Sequence, residues 1–154
     1  MSDDLNELYG EMIMDHNQRP RNFRVMPEAN HRAEGHNPLC GDRVTVYAKT
    51  EGNVIKDLSF QGSGCAISKS SASVMTTMLK GKTIEEARTL FKEFRELVTA
   101  GHGDAAHLGK LATFSGVHKF PARVKCAILP WHAVSAALEG AENVVSTEND
   151  PPST

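Results

Sequence analysis

The chain has three cysteines, Cys40, Cys65 and Cys126, and the first shares its loop with an aspartate in Asn37-Pro38-Leu39-Cys40-Gly41-Asp42. Three sulfurs and one carboxylate make four donors, the number a tetrahedral zinc ion takes. Cys40 and Asp42 are two apart, so in an extended segment they project to one side, and Gly41 between them permits close approach. A buried free cysteine beside a turn aspartate explains the triplet equally well. Cys65 follows Gln61-Gly62-Ser63-Gly64 and opens a helix-like run. Unpaired amides and the dipole at a helix start would stabilise its thiolate. A small core residue against a sheet is the plainer alternative. Cys126 ends Pro121-Ala122-Arg123-Val124-Lys125-Cys126 and shares an amphipathic run with Ile128, Leu129, Val134 and Leu138, where a packed thiol is common. Arg123 and Lys125 would help to neutralise a thiolate cluster, or simply face solvent.

The histidines are His16, His31, His36, His102, His107, His118 and His132. None forms the His-x-x-x-His pair that puts two ligands on one helix face. A Cys–His hydrolase with Cys40 as nucleophile would need a base, and no histidine is singled out as one.

These groups must be carried by a modest set of elements. Leu5, Leu8, Tyr9, Met12 and Ile13 recur at helical spacing and predict a helix over 3–16. Residues 17–41 read as loop with one short strand around 30–36. Two strands follow, over 43–48 and 54–60, joined by the turn residues Glu51-Gly52-Asn53. A helix over 65–80 is rich in small residues that let it lie close to the sheet, and Gly81 stops it. Thr83-Ile84-Glu85-Glu86 is a capping box that opens the next helix. A short helix over 104–111 and a loop are expected before a last helix that begins at Pro121 and reaches about 139–140. Pro130 inside it predicts a kink, or a clean start only after it. The reading is a single domain over 1–140 and a disordered polar tail over 141–154.

Composition narrows the class. A chain of 154 residues buries roughly 70% of its unfolded surface, so it needs no metal merely to own a core. Seventeen basic against nineteen acidic residues, a formal net of −2, do not suggest a nucleic-acid partner. No apolar run is long enough for a membrane span. Met1-Ser2-Asp3-Asp4 lacks the start of a signal peptide. An odd cysteine count argues against a disulfide framework, and reduced thiols in a cytoplasm are the expectation.

Together the motifs resemble the IscU/NifU-like family of iron–sulfur cluster assembly proteins. The residues that carry the likeness are Asn37-Pro-Leu-Cys-Gly-Asp42, Gly62-Ser-Gly-Cys-Ala-Ile-Ser68 and Pro121-Ala-Arg-Val-Lys-Cys126, with Leu8-Tyr-Gly-Glu-Met-Ile-Met-Asp-His16 and Pro20-Arg-Asn-Phe23. Scaffold members carry a histidine before the last cysteine, where this chain has Lys125. They also lack an insert such as Leu108–Lys119. Both features look like the SufU-type branch, while Pro130 departs from the family pattern.

The resemblance implies an α+β fold, a small antiparallel sheet of about three strands with helices packed on one side. It implies that Cys40, Asp42, Cys65 and Cys126 bind one zinc ion. Cys40 would accept sulfane sulfur from a pyridoxal-phosphate cysteine desulfurase of the SufS type and pass it to iron–sulfur assembly machinery, and Arg123 would help to poise the site. Tight ligation quietens a thiolate, so Cys40 would have to leave the ion before attacking. The alternative is a scaffold on which an iron–sulfur cluster is assembled, with iron in place of zinc, since sulfur ligands suit both. A purely structural zinc module is the third reading.

Overall fold

The computed structural model of the chain describes residues 10–38, 41–101, 103, 105–139 and 144–146. Cys40, residues 3–9 of the expected first helix and most of the expected tail lie outside them. Within the described residues the first helix, α1, is Glu11–Gln18, and β1 (His31–Asn37), β2 (Asp42–Glu51) and β3 (Val54–Ser63) follow. Next come α2 (Ala66–Leu79), α3 (Ile84–Ala100), the four-residue α4 (Ala105–Leu108) and 3-10 turns over Gly109–Lys119. The last helix, α5, is Pro121–Leu138, and β4 is Val144–Ser146.

β1, β2 and β3 form the expected antiparallel meander, and β4 adds a parallel edge, giving the order β3-β2-β1-β4. That three-residue strand falls where the sequence predicts a disordered tail. Gly52 and Asn53 make the β2–β3 connection, with Gly52 at φ +60°, the positive angle that a two-residue hairpin requires. Along β2, Val44, Val46 and Ala48 are buried in the core that the helices cover, while on the other face Arg43 is exposed and Thr45 and Lys49 are half-buried. The central strand thus follows the inside–outside alternation of a one-sided sheet.

α5 lies across β1 and β2, α2 packs on α1, α5 and β3, and α3 packs on α5 and the 3-10 turns. Trp131 of α5 stacks on Phe94 of α3 with ring centroids 4.9 Å apart, and Phe94 meets Phe114 edge-on. The capping box at α3 is present: Glu86 N–H donates to Thr83 Oγ1 at 3.1 Å, and Thr83 N–H donates to Glu86 Oε1 at 2.9 Å. No helix among the described residues is long and apolar enough to cross a membrane.

Two expectations need correction. The stretch read as loop before Pro121 is helical throughout. Leu108, Leu111, Phe114 and Val117 are fully buried and recur every third residue, the period of a 3-10 helix. Of the two alternatives for Pro130, the clean start only after it is not what forms, since α5 runs through it from Pro121 to Leu138. A proline there removes one backbone donor and crowds the preceding turn. The Ser71 hydroxyl of the neighbouring helix donates to the Ala127 carbonyl at 2.6 Å and accepts the Trp131 indole N–H at 3.2 Å, tying α5 to α2 on both sides of the proline.

α2 is buried nearly all round, and the hydroxyls of Ser70, Ser71, Thr76 and Thr77 donate to backbone carbonyls. Ser73 Oγ lies 2.7 Å from His16 Nδ1 and accepts the Arg21 N–H at 2.8 Å. His16 is 2% exposed. Burial first, then the charges of Arg21 and Lys110, hold its pKa below the usual 6.5. The folded state therefore keeps His16 neutral at pH values where the unfolded chain protonates it, and stability is lost as pH falls below 6.5. The urea midpoint of the wild type should drop between pH 7.5 and 5.5 by more than that of His16→Gln. Parallel declines in the two proteins would refute this role of His16.

Candidate metal centre

Three of the four expected ligands are described, and the fold brings them together from three places. Asp42 is the first residue of β2, Cys65 is the N-cap of α2, and Cys126 lies in the second turn of α5. One carboxylate oxygen and the two sulfurs all lie within 4.8 Å of one another. Asp42 is 1% exposed, Cys126 is 0% exposed, and Cys65 is half-buried.

Local structure fixes each group. Asp42 Oδ1 accepts the Cys65 backbone N–H at 3.0 Å, and its Oδ2 is 3.9 Å from Cys65 Sγ. The carboxylate thus caps the loop before α2 and faces the sulfur at once. Gly64 makes this possible, since a Cβ there would sit 2.7 Å from Asp42 Oδ1. On the other side, Gly41 N–H donates to the Asn37 carbonyl at 2.8 Å and closes the β1–β2 connection that contains Cys40. Gly41 has φ +74°, which a glycine adopts without strain.

Their neighbours push the two thiols in opposite directions. Cys65 is held down, to about 6, first by the hydrogen bond from Cys126 and then, against the cost of burial, by the amides that open α2. Cys126 is pushed up by that same bond, by burial and by the Asp42 carboxylate.

No metal ion needs large movements to fit here. A tetrahedral ion with sulfur at ~2.3 Å and oxygen at ~2.0 Å keeps its ligands about 3.5–4 Å apart. Contraction by about an ångström at most gathers these three donors. Two thiolates and a carboxylate are a zinc-compatible set, and they equally suit iron.

Among the described residues no histidine joins the cluster. His16 is committed to Ser73, His107 lies 2.7 Å from Glu93, and the His132 ring meets Phe91 edge-on at 5.3 Å. Arg123 is half-buried on α5, three residues before Cys126. One group escaped the sequence reading. Asn37 is fully buried at the end of β1 and directs Nδ2 to Cys126 Sγ at 3.7 Å. Its place at the head of the Asn-Pro-Leu-Cys-Gly-Asp motif was the available signal.

The model of the NifU-like N terminal domain matches residues 8–127. The zinc-dependent sulfurtransferase SufU of Bacillus subtilis is 41% identical over 135 residues, 87% of this chain and 91% of that protein. The iron–sulfur cluster assembly scaffold protein IscU of Streptococcus pyogenes is 36% identical over 140 residues, 90% of this chain and 87% of its own length. A crystal structure from Fervidobacterium islandicum AW-1, described as a candidate iron–sulfur cluster assembly scaffold protein for the SUF system, superposes with a TM-score of 0.81 at 37% identity. It covers 85% of this chain and 96% of its own. With its three-strand antiparallel meander, its one-sided helices and its Asp–Cys–Cys cluster, the chain belongs to the NifU-like N-terminal domain family.

Proposed function

We propose that this chain is a zinc-dependent sulfur-transfer protein that accepts sulfane sulfur on Cys40 from a pyridoxal-phosphate cysteine desulfurase of the SufS type and delivers it to iron–sulfur cluster assembly in the cytoplasm. The observation that carries the reading is the convergence of Asp42, Cys65 and Cys126 within 4.8 Å. Asn37 and Asp42, which bracket the Cys40 connection, both belong to that cluster. In this reading the four ligands are Cys40, Asp42, Cys65 and Cys126. Bound zinc would keep its thiol ligands deprotonated.

The chain's own residues then divide the work. Asp42 orients Cys65 through its backbone N–H and supplies the one oxygen donor. Cys126, in the solvent-excluded floor, stays in place. Cys40 is the nucleophile: its thiolate attacks the terminal sulfur of the donor's persulfide, a new S–S bond forms, and the donor cysteine leaves as a thiolate. The exchange needs no external oxidant or reductant. Arg123 contributes positive charge beside a cluster that gathers negative sulfur.

The relatives of scaffold name favour a second reading, an iron–sulfur cluster held by the same donors. Lys125, where scaffold members have histidine, and the packed insert Leu108–Lys119 support the first. A desulfurase assay with and without the chain, paired with elemental analysis of freshly purified protein, separates them. Equimolar zinc and faster sulfur release are expected. An iron–sulfur chromophore that moves to an apo-protein, without stimulation of the desulfurase, would establish the scaffold instead.

A further inference from the structure

Asn37 is fully buried, and both its ends are engaged at the metal centre. The side-chain Nδ2 donates to Cys126 Sγ at 3.7 Å. The main-chain carbonyl accepts Gly41 N–H at 2.8 Å, and across the strand pair the residue opposes Asp42. One residue therefore bonds the sulfur carried by α5 and also closes the turn that leads to the carboxylate ligand. An N–H donor aimed at a thiolate makes a charge-assisted hydrogen bond. Such a bond draws electron density from the sulfur and makes it a poorer nucleophile, as partners beyond the ligands tune metal sites generally. The same sulfur lies 3.5 Å from the Ala122 carbonyl oxygen, and the Asn37 amide is the N–H donor that reaches it from the β1–β2 turn.

We propose that Asn37 is a positioning residue of the metal centre: its amide holds the Cys126 sulfur as the fixed, unreactive ligand and locks it to the β1–β2 turn. The inference deepens the zinc reading and rests on it. It explains why a polar side chain occupies a fully buried position at the end of β1, where Ala33 and Gly35 are the other inward residues.

The test uses the full chain with Asn37→Leu, which fills the site without a donor, and Asn37→Ala, which empties it. Both leave the backbone bond to Gly41 available. Zinc affinity is measured by chelator competition, the sulfur-to-metal charge-transfer band by cobalt(II) titration, and Cys126 alkylation in the zinc-loaded protein by mass spectrometry. Both variants should bind zinc roughly 10–100-fold more weakly. Both should shift the cobalt band to lower energy and expose Cys126 to alkylation, while the metal-free variants still unfold cooperatively. Wild-type affinity and an unshifted band in both variants would overturn the proposal. So would an effect confined to Asn37→Ala, which would mark packing rather than the donor. A wild-type chain that bound neither metal would instead sink the zinc reading beneath it.

Discussion

Cys40→Ala should abolish sulfur transfer while leaving a folded, cooperatively unfolding protein. The described flanks of this position explain the second half. β1 ends at Asn37, β2 begins at Asp42, and the Gly41 N–H to Asn37 carbonyl bond closes the connection without any side chain from residue 40. The β1–β2 register on either side is carried by backbone pairing from His31 opposite Ala48 to Asn37 opposite Asp42. The first half follows from chemistry, because a methyl group cannot attack a persulfide. Asp42, Cys65 and Cys126 would remain as three donors, so weakened but measurable zinc binding should survive. The desulfurase rate in the presence of the variant should match the rate of the desulfurase alone. A variant that still stimulated it, or that still acquired a persulfide, would remove Cys40 from the acceptor role.

Gly62→Ala is expected to be the most damaging small substitution. Gly62 sits in β3 opposite Val44 with φ +151°, a backbone angle nearly closed to other residues. A Cβ there would lie 2.1 Å from the Arg43 carbonyl oxygen and 2.9 Å from Val44 Cα. Those atoms are backbone, so the clash is relieved only by prising β2 from β3. Strain at such a position and a broken ladder together should cost roughly 3 kcal/mol or more. The damage should reach the metal centre too, because Gly62 leads directly into Gly64 and Cys65. Gly41→Ala is the control. Its φ is +74° but nothing lies within 4 Å of the added Cβ, so it should cost only about 1–2 kcal/mol. Urea unfolding of both variants measures the difference, and a Gly62→Ala midpoint equal to that of Gly41→Ala would refute it.

Much of this was legible in the chain. The hairpin at 51–53 and the capping box at Thr83 are set by local chemistry that no tertiary contact overrides. β1 was harder to see for a specific reason. α5 lies so close over it that a Cβ on Gly35 would be 3.0 Å from Leu129 Cδ1. Its inward residues are therefore Ala33, Gly35 and Asn37, and the apolar alternation that announces a strand is missing. The 108–117 segment hid for the opposite reason. Its buried residues are strongly apolar but repeat every third position, which fits neither the α-helical nor the strand period. The helix is tied on both sides of Pro130 to Ser71 of α2, a contact far away in sequence that the proline alone does not announce. Asn37 was visible as a letter but not as a donor, since only the folded chain shows what its amide faces.

In the zinc reading proposed above, the wide spacing of the donors along the polypeptide governs when an ion could be bound. Asp42 comes from one strand start, while Cys65 and Cys126 come from two different helices. A nascent chain emerging from the ribosome offers at first only isolated thiols, each with a feeble grip. The last sulfur arrives when the closing helix docks. Loading therefore waits for completed folding, and an occupied centre certifies that the molecule around it has been correctly assembled.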